Sequence, residues 1–474
     1  MKNPNKRVMR HSSAAAILSA ALAAVLALAA CASAPPSILA GRLPEGANAF
    51  QEDFAAMARY IRKTHAGFAD VPLRSMEDSA YEALVQKTWD RLAGAKDELD
   101  WHFEVSFFLE KLGDGHTSLD APRDSGLPLY LWWFEDGLYA VAASAPEGAA
   151  LVGKRILAMG GKGIEELEGL VNAYVPADRG SLGWKRLKSP ALLSSRGMLG
   201  RLGLLDAEGR ALVEYEEDGA ARKALLGTTY SNRSAEWESR GFARIPATLP
   251  KEGNSFEYLE AFEALYLQLN SLPTAVDRPF LEAAFRLAKE SGAKRLILDL
   301  RNNSGGNSAW CDEFLRYIVR EPRNLYLYNG WESAYPGPNA RRADGTVRIE
   351  PVTNGLGFKG ELFVLTGPRT FSSATFFAVA AKDNGLGLLV GEPCGNTSIR
   401  YGFRAAPIVL PRSGKSFSTT KYVWGRAKPG VLGEGPVLIE PDLYAAPSFA
   451  DFRARRDPAL ERIAQELSRT AAAP

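Results

Sequence analysis

The feature that most restricts the fold is an alternation of short apolar runs and helix-like segments in the second half of the chain. The amphipathic segment RPFLEAAFRLAKESGA leads into the apolar run RLILDL at Arg295–Leu300, and the run ELFVLT at Glu361–Thr366 precedes the segment SATFFAVAAKDN and the run LGLLVG. Such apolar runs are typical of strands buried on both faces, and strand–helix–strand order favours parallel pairing. The sequence therefore predicts an α/β core over residues 235–474.

Two other kinds of pattern precede this core. Within residues 47–122, the segments FQEDFAAMARYIRKTH and WHFEVSFFLEKLG carry apolar residues at three- and four-residue steps, which indicates amphipathic helices. Within residues 123–234 short strand patterns follow one another, LYLWWF, LYAVAAS, KRILAMG and ALVEYEE, with the helical stretch IEELEGLVNAYV between them. We expect a helical region and then a β-rich module, in which no catalytic constellation is visible.

The N-terminus has the pattern of a secretory leader. Four basic residues precede the apolar run Ala14–Ala30, which ends in small residues at Cys31. A single membrane-spanning helix is the alternative, because the run is near the lower length limit for crossing a bilayer. The segment LAAC resembles a bacterial lipobox, which implies lipidation of Cys31 and an extracytoplasmic protein anchored to the cell envelope by acyl chains alone. Residues 1–30 are then the leader and residues 31–46 a tether.

Charge and cysteine content narrow the function classes. Removal of the leader takes four of the 57 basic residues and none of the 55 acidic ones, so the formal charge becomes −2 and nothing selects nucleic acid. Cys311 and Cys394 can form a disulfide in an oxidising compartment or remain two separate buried thiols. Neither H-E-x-x-H nor C-x-x-C occurs, and we expect no metal and no organic cofactor.

Two adjacent serines mark a candidate nucleophile. Ser372 and Ser373 stand where ELFVLT ends and the apolar helix begins, so that a hydroxyl lies near backbone N–H groups able to stabilise an oxyanion. Serine also caps helices routinely, and this stretch alone leaves both roles open. In the loop RNNSGGN, Gly305 and Gly306 allow N–H groups to approach a reacting carbonyl closely, although an ordinary tight turn has the same composition.

A serine nucleophile needs a base. His65 and His102 lie in predicted amphipathic helices, where packing or surface roles are expected, whereas His116 lies in the glycine-flanked turn GDGHTS, which can present an imidazole to a cleft. Lys382 follows Ser372 by ten positions on the same helix and lies roughly 15 Å along its axis, out of reach.

Three segments together resemble the tail-specific, or C-terminal processing, serine peptidases and their tricorn-like relatives. In chain order they are GDGHTS, LILDLRNNSGGN and TFSSATFFAVAAKDNGLGLLVGEPCGN. The likeness extends from about residue 50 to 445. It implies a ClpP/crotonase-like core, an N-terminal helical region and a PDZ-like module that contains Gly153–Leu167. It further implies that Ser372 is the nucleophile, and that Gly305, Gly306 and the amide of Ser373 form the oxyanion hole.

Thr397 stands where serine–lysine members of this family carry their base, so the resemblance points to the serine–histidine branch with His116 as base. The acidic group of that branch corresponds to Glu434, with Glu440 and Asp114 as alternatives. The expected function is a serine peptidase that hydrolyses peptides or proteins through an acyl-enzyme. Two other functions stay open: a non-catalytic binding protein on a degenerate peptidase fold, and an acyl-thioester enzyme on the same core. The sequence predicts no oligomeric state.

Overall fold

A computed structural model describes residues 37–69, 73–122, 124–231, 253–331, 345–431 and 435–471. The predicted leader, Cys31 and Glu434 lie outside these ranges. Within them, no helix combines the length and the apolar character needed to cross a bilayer.

Three helices form the first structural layer: α1 (Ala49–Thr64), α2 (Asp78–Leu92) and α3 (Glu98–Glu110). Helix α1 begins at Asn48 with a reciprocal cap, in which the Asn48 side chain accepts from the Gln51 amide and the Gln51 side chain accepts from the Asn48 amide. The apolar faces of the three helices meet in one cluster that includes Phe54 and Phe108. A short 3₁₀ turn follows α1, and the GDGHTS segment follows α3.

A β-rich part follows. Its elements are β1 (Ser125–Gly126), β2 (Leu129–Phe134), β3 (Gly137–Ala143), α4 (Pro146–Ala149), β4 (Ile156–Met159), β5 (Lys162–Gly163), α5 (Ile164–Asn172), α6 (Leu182–Ser194), α7 (Arg196–Arg201), β6 (Arg210–Glu217), β7 (Ala220–Gly227) and β8 (Tyr230–Ser231). Strands β2 and β3 pair as a hairpin, and a four-stranded antiparallel sheet has the order β5-β4-β6-β7. The four predicted strands and the predicted helix form here, and α6 is an additional helix.

The remaining elements build the core. They are β9 (Ser255–Leu259), β10 (Ala264–Gln268), α8 (Arg278–Glu290), β11 (Arg295–Asp299), α9 (Ala309–Ile318), β12 (Arg323–Tyr326), β13 (Tyr328–Trp331), β14 (Thr346–Ile349), β15 (Glu361–Thr366), α10 (Ser373–Asp383), β16 (Leu388–Gly391), β17 (Ile399–Arg404), β18 (Ile408–Val409), β19 (Ser416–Phe417), β20 (Thr420–Arg426), β21 (Leu443–Tyr444), α11 (Phe449–Ala454) and α12 (Pro458–Ala471).

The central sheet has the order β21-β16-β15-β11-β10-β9. Its first five strands are parallel and only β9, at the edge, is antiparallel. One face packs against α8, α9 and α10, and the other packs against α12 through residues such as Ile297 and Ile463. The predicted α/β core with additional modules is confirmed. Residue Asp299 of β11 is level with Leu365 of β15, so the loops that follow these two strands leave the sheet side by side.

The helical region is joined to the core by hydrogen bonds. The backbone N–H groups of Arg412 and Ser413 donate to the buried carboxylate of Asp53 on α1 at 2.7 and 2.9 Å. The GDGHTS segment lies against β20, where Thr420 Oγ1 donates to Asp114 at 2.7 Å. These contacts bring a turn from the first quarter of the chain to the carboxyl edge of the central sheet.

Candidate active site

The backbone at Ser372 has the shape of a sharp strand-to-helix turn. Ser372 immediately precedes α10 and has φ +52° and ψ −122°, a region that residues with side chains rarely adopt. An ordinary N-cap has extended backbone and a side chain that accepts a hydrogen bond from the first helical turn, and Ser372 has neither. The capping role left open by the sequence therefore does not apply, and the half-buried hydroxyl remains available for chemistry.

The turn at Ser372 is held against the glycine loop after β11. The Phe371 amide donates to the Asn303 carbonyl at 3.0 Å, and the Ser373 hydroxyl donates to the Gly306 carbonyl at 2.6 Å. At Gly305, φ is +103° and a Cβ would lie 2.6 Å from the Ser372 Cβ. At Gly306, φ is +135° and a Cβ would lie 2.0 Å from the Leu272 carbonyl oxygen. Gly305 is therefore required by the close approach of the serine turn, and Gly306 by the close approach of the segment at Leu272.

The three predicted oxyanion donors differ in their availability. The Gly305 N–H already donates to Asn303 Oδ1 at 2.8 Å. The N–H groups of Gly306 and Ser373 donate to no other group in the described part of the chain. The Gly305 amide therefore has an acceptor in this structure, whereas the amides of Gly306 and Ser373 are available to an oxyanion.

His116 lies beside the same turn. Its ring packs on the ring of Phe371, the residue before Ser372, with centroids 4.6 Å apart and planes tilted by 37°. Both ring nitrogens are buried and have no hydrogen-bond partner among the described residues, so the hydrogen bond to Ser372 is not formed in this structure. Burial lowers the pKa of His116 to about 4, and the charges of Arg400 and Arg404 act in the same direction, against the opposing effect of Asp114. The imidazole is neutral near pH 7 and can accept a proton.

Asp114 supports the turn that carries His116. Its Oδ1 accepts the backbone N–H of His116 at 2.8 Å and lies 3.8 Å from His116 Nδ1, beyond hydrogen-bond distance. Its Oδ2 accepts from Thr420 and from His65 Nε2, the latter at 3.2 Å. Burial acts to raise the pKa of Asp114, but the hydrogen bond from His65 holds it below its usual range. Two of the acids predicted as partners of His116 lie in the described residues. Asp114 is buried near His116, and Glu440 is exposed to solvent.

His65 was expected to have a packing or surface role, and its position shows a more particular one. Its side chain is fully buried, and Nδ1 accepts the Gly67 amide at 3.0 Å. The proton of the neutral imidazole is therefore on Nε2, which donates to Asp114. His65 thus orients the acid that supports the His116 turn.

Sequence reasoning missed a second buried acid, Asp178, in the loop between α5 and α6. Its Oδ1 accepts the Gly115 amide at 3.1 Å, and its Oδ2 accepts Asn396 Nδ2 at 2.8 Å and the Thr397 amide at 3.2 Å. Burial raises the pKa of Asp178 to about 6, and the nearby Asp114 adds to the rise. Asp178, Asp114 and His116 offer atoms within 4.8 Å of one another, and hydrogen-bond donors already occupy the oxygens of both carboxylates.

Asn396 completes a link between the two halves of the site. Its Oδ1 accepts the amide N–H of Ser372 and the hydroxyl of Thr375, and its Nδ2 donates to Asp178. A continuous path therefore runs from the backbone of Ser372 through Asn396 and Asp178 to the backbone of Gly115, next to His116. A lone Asp and a lone Asn separated by 218 positions carry no local signal that would have revealed this contact.

The other predicted positions are placed as follows. Thr397 is buried and its hydroxyl donates to the Ile399 carbonyl, so the position of the family's base lysine is filled by a structural threonine. Lys382 forms an ion pair with Asp442 and does not serve Ser372. Cys311 and Cys394 are separate, buried, free thiols.

Comparisons with known proteins relate the core to one peptidase family and the fold to solved structures. Residues 263–404 match the model of peptidase family S41. A crystal structure of a serine-to-alanine mutant of CPAF superposes with a TM-score of 0.61 at 15% identity, covering 86% of this chain and 94% of that one. Mature CPAF complexed with lactacystin superposes with a TM-score of 0.58 at 14% identity, covering 86% and 95%. No curated protein matches the sequence.

The fold and the family match together define a serine-type peptidase, a hydrolase. The matched residues 263–404 contain the second and third motifs, and the match to peptidase family S41 agrees with the resemblance that these motifs carry. Its substrates are accordingly peptides or proteins.

Proposed function

We propose that Ser372 is the nucleophile of this peptidase and that His116 is its general base. The observation that carries the proposal is the strained backbone of Ser372, which is held against the glycine loop and follows Phe371, the residue whose ring packs on the His116 ring. The buried imidazole is neutral and its nitrogens have no partner among the described side chains, so no hydrogen bond has to break before the ring accepts a proton. In structures without substrate, catalytic hydrogen bonds are often long and become short only in the reacting complex.

The reaction proceeds in two stages. In the first, His116 takes the hydroxyl proton as Ser372 Oγ bonds to the substrate carbonyl carbon; the protonated imidazole then gives this proton to the leaving nitrogen as the C–N bond breaks. An ester between Ser372 and the acyl part remains. In the second stage water attacks that ester, with its proton passing through His116 to Ser372 Oγ, and the carboxylic acid leaves.

The negative charge on the carbonyl oxygen requires donors that are in place before reaction. The amides of Gly306 and Ser373 have no other acceptor in the ranges described, and they are held by the Ser373 hydroxyl bond to the Gly306 carbonyl. Loss of one such donor typically lowers kcat by about 100-fold or more. We assign the oxyanion hole to these two amides, with Gly305 providing the space.

The cellular setting is part of the proposal. The leader pattern and the lipobox place the mature protein in the cell envelope, attached through Cys31. The β-rich part, with its four-stranded sheet and flanking helix α5, would act as a PDZ-like module that recognises an extended chain by strand addition. Glu434 remains a candidate acid for His116 alongside Asp114.

Paired substitutions at the two serines test the assignment. We expect Ser372→Ala to abolish hydrolysis of an unfolded protein such as reduced casein, with the thermal unfolding midpoint unchanged. Ser373→Ala should retain most activity, because the residue contributes its amide, and it should lose about 1 kcal/mol of stability with the bond to Gly306. Normal hydrolysis by Ser372→Ala would refute the proposal.

A further inference from the structure

A cavity of about 270 Å³ lies between the β-rich part and the carboxyl edge of the central sheet. Four loops that follow parallel strands form one side of it: Arg301–Asn302 after β11, Gly367–Arg369 after β15, Glu392 after β16 and Ala445–Pro447 after β21. Ligands of open α/β sheets bind outside the carboxyl ends of the strands, which is this location. The volume is just below the range of about 300–1,000 Å³ usual for drug-sized ligands and suits a single side chain.

The side of the cavity that faces these four loops is aromatic. Trp132, Trp133 and Phe134 of β2 line the cavity, and Tyr444 of β21 completes the ring-bearing surface. The ring of Trp133 already carries a cation, since the guanidinium of Arg186 lies 4.9 Å from its centroid. Aromatic faces of this kind attract ammonium and guanidinium groups.

The side chains that face the cavity include two carboxylates without an ion-pair partner among the described residues. Glu392 is half-buried, and its carboxylate forms no hydrogen bond and no ion pair with any residue described. Glu135, at the β2–β3 turn, is exposed and likewise has no ion-pair partner in the described ranges. Burial raises the pKa of Glu392 to about 7, and the charge of Glu135 contributes. An incoming cation would relieve both effects.

The arginines that line the cavity do not neutralise these two carboxylates. Arg186 donates two bonds to Glu168, at 2.6 and 3.1 Å, and is neutralised by it. Arg301 is held between Asp299 and Asp457, which outweigh its single charge. Arg369 is the remaining cation of the lining and forms no ion pair within the part of the chain that the structure describes. Two unpaired carboxylates thus face one unpaired arginine.

We propose that this cavity binds the side chain of an arginine or lysine residue of the polypeptide substrate, with Glu392 as its counter-ion and the aromatic wall against its aliphatic stem. Gly367–Arg369, which line the cavity, and Ser372 belong to the same short connection between β15 and α10, so the cavity and the serine turn are neighbours along the chain. The substrate class, polypeptides with a basic residue near the cleaved bond, rests on the proposed function, whereas the binding of the basic group does not.

The ionisation of Glu392 predicts how the affinity for a basic side chain changes with pH. A cation favours the ionised form of Glu392, so binding of a basic side chain releases a proton and strengthens as the pH rises through about 7. The other titratable or charged groups that face Glu392 are Glu135, Arg186, Arg301, Arg369 and Tyr444. Arg186 and Arg301, each paired with carboxylates, stay charged throughout this range and therefore do not reverse the sign.

Direct binding to the full-length Ser372→Ala protein tests the cavity without turnover. The probes are two blocked pentapeptides, acetyl-Ala-Ala-Arg-Ala-Ala-amide and the same peptide with citrulline, the neutral isostere of arginine, titrated calorimetrically at pH 6 and pH 8. We expect the arginine peptide to bind about tenfold more tightly than the citrulline peptide at pH 8, and less so at pH 6. Equal affinities for the two peptides would overturn the proposal.

Substitutions at the cavity test whether the arginine preference arises at Glu392. With Glu392→Gln added, the arginine preference should fall to about twofold or less, whereas Glu82→Gln, an equal charge change on the exposed face of α2, should leave it intact. Trp132→Leu should weaken both peptides by about threefold, an effect that does not depend on the folding of the Glu392 variant. Survival of the full preference in Glu392→Gln would also overturn the proposal.

The outcome separates the two proposals. If wild-type protein cleaves casein through Ser372 and yet shows no arginine preference in binding, the cavity assignment fails and the peptidase assignment stands. If the arginine preference is present while no peptide is hydrolysed, the cavity assignment stands and the catalytic assignment fails.

Discussion

At the scale of single residues, the site depends on polar contacts that join parts of the chain far apart in sequence. Asn396 accepts the Ser372 amide and donates to Asp178, which in turn accepts the amide next to His116. None of these groups need touch substrate. They fix the relative position of the proposed nucleophile and base, and we expect this to be their contribution to the rate.

Replacement of Asn396 tests this contribution. Asn396→Ala leaves the Ser372 amide without its acceptor and removes one of the two donors to Oδ2 of the buried Asp178, and we expect kcat to fall about 10- to 100-fold with KM little changed. Thr375→Val is a matched control, because it removes only two long bonds, of 3.3 Å to the same Asn396 oxygen and of 3.4 Å to the Thr370 carbonyl, and it should cost less than about threefold. A rise in KM alone would show that Asn396 acts in binding, contrary to this account.

The pH dependence of kcat/KM reports the free enzyme's ionisable groups. The general base must be unprotonated, and burial lowers the pKa of His116 to about 4, so activity should persist below the usual histidine range. Asp178, with a pKa of about 6, is protonated first on acidification and weakens the acceptor for Asn396. We expect the acid limb to lie between these two values. A midpoint at or above 6.5 would contradict the assigned environment of His116.

At the scale of elements, the strands β11 and β15 and the helix α10 determine where chemistry occurs, because the two loops leave neighbouring strands in register. The apolar runs predicted these elements, since burial on both faces requires them to be nearly continuous. Helix α6 was missed because it contains Pro190 in its interior and lacks a clear apolar face. Asp178, in the loop before that helix, was missed for a different reason: contacts across sheets and modules leave no periodic pattern.

The glycine loop gives a prediction at this scale. Gly305→Ala would place a methyl group 2.6 Å from the Ser372 Cβ and 2.9 Å from the Ser373 amide nitrogen, at a φ of +103°. We expect hydrolysis to fall by about 100-fold or more, because the oxyanion site is displaced, together with a loss of stability. Gly169→Ala, on the helix α5 with open space around it, should leave activity and unfolding temperature unchanged or raised. Undiminished activity in Gly305→Ala would exclude this loop from the site.

At the scale of the whole molecule, the active site exists only when three parts assemble: the helical region supplies His65, Asp114 and His116, the β-rich part supplies Asp178, and the core supplies Ser372 and Asn396. The motif GDGHTS predicted the contribution of the helical region, and the serine turn predicted that of the core. Their convergence could not be derived from local patterns, because it depends on buried polar contacts between parts.

The C-terminal helix contributes to that assembly through one buried contact. Arg301, next to the glycine loop, donates two bonds of 2.8 Å to Asp457, and the two side chains are 10% and 3% exposed. Asp457→Asn should lower the free energy of unfolding of the full chain by about 2–3 kcal/mol in urea titrations, since a buried charge loses one of its partners. Glu282→Gln, which breaks the exposed pair with Arg286, should cost less than about 0.5 kcal/mol. Equal small effects would show that Asp457 does not secure the helix.

The central claim, that Ser372 is activated by His116, is tested most directly by the rate at which a fluorophosphonate modifies the protein. The account predicts a single adduct, mapped by mass spectrometry to Ser372, that forms at least about 100-fold more slowly in His116→Gln. An adduct on another serine, no adduct at all, or an unchanged rate in His116→Gln would contradict it.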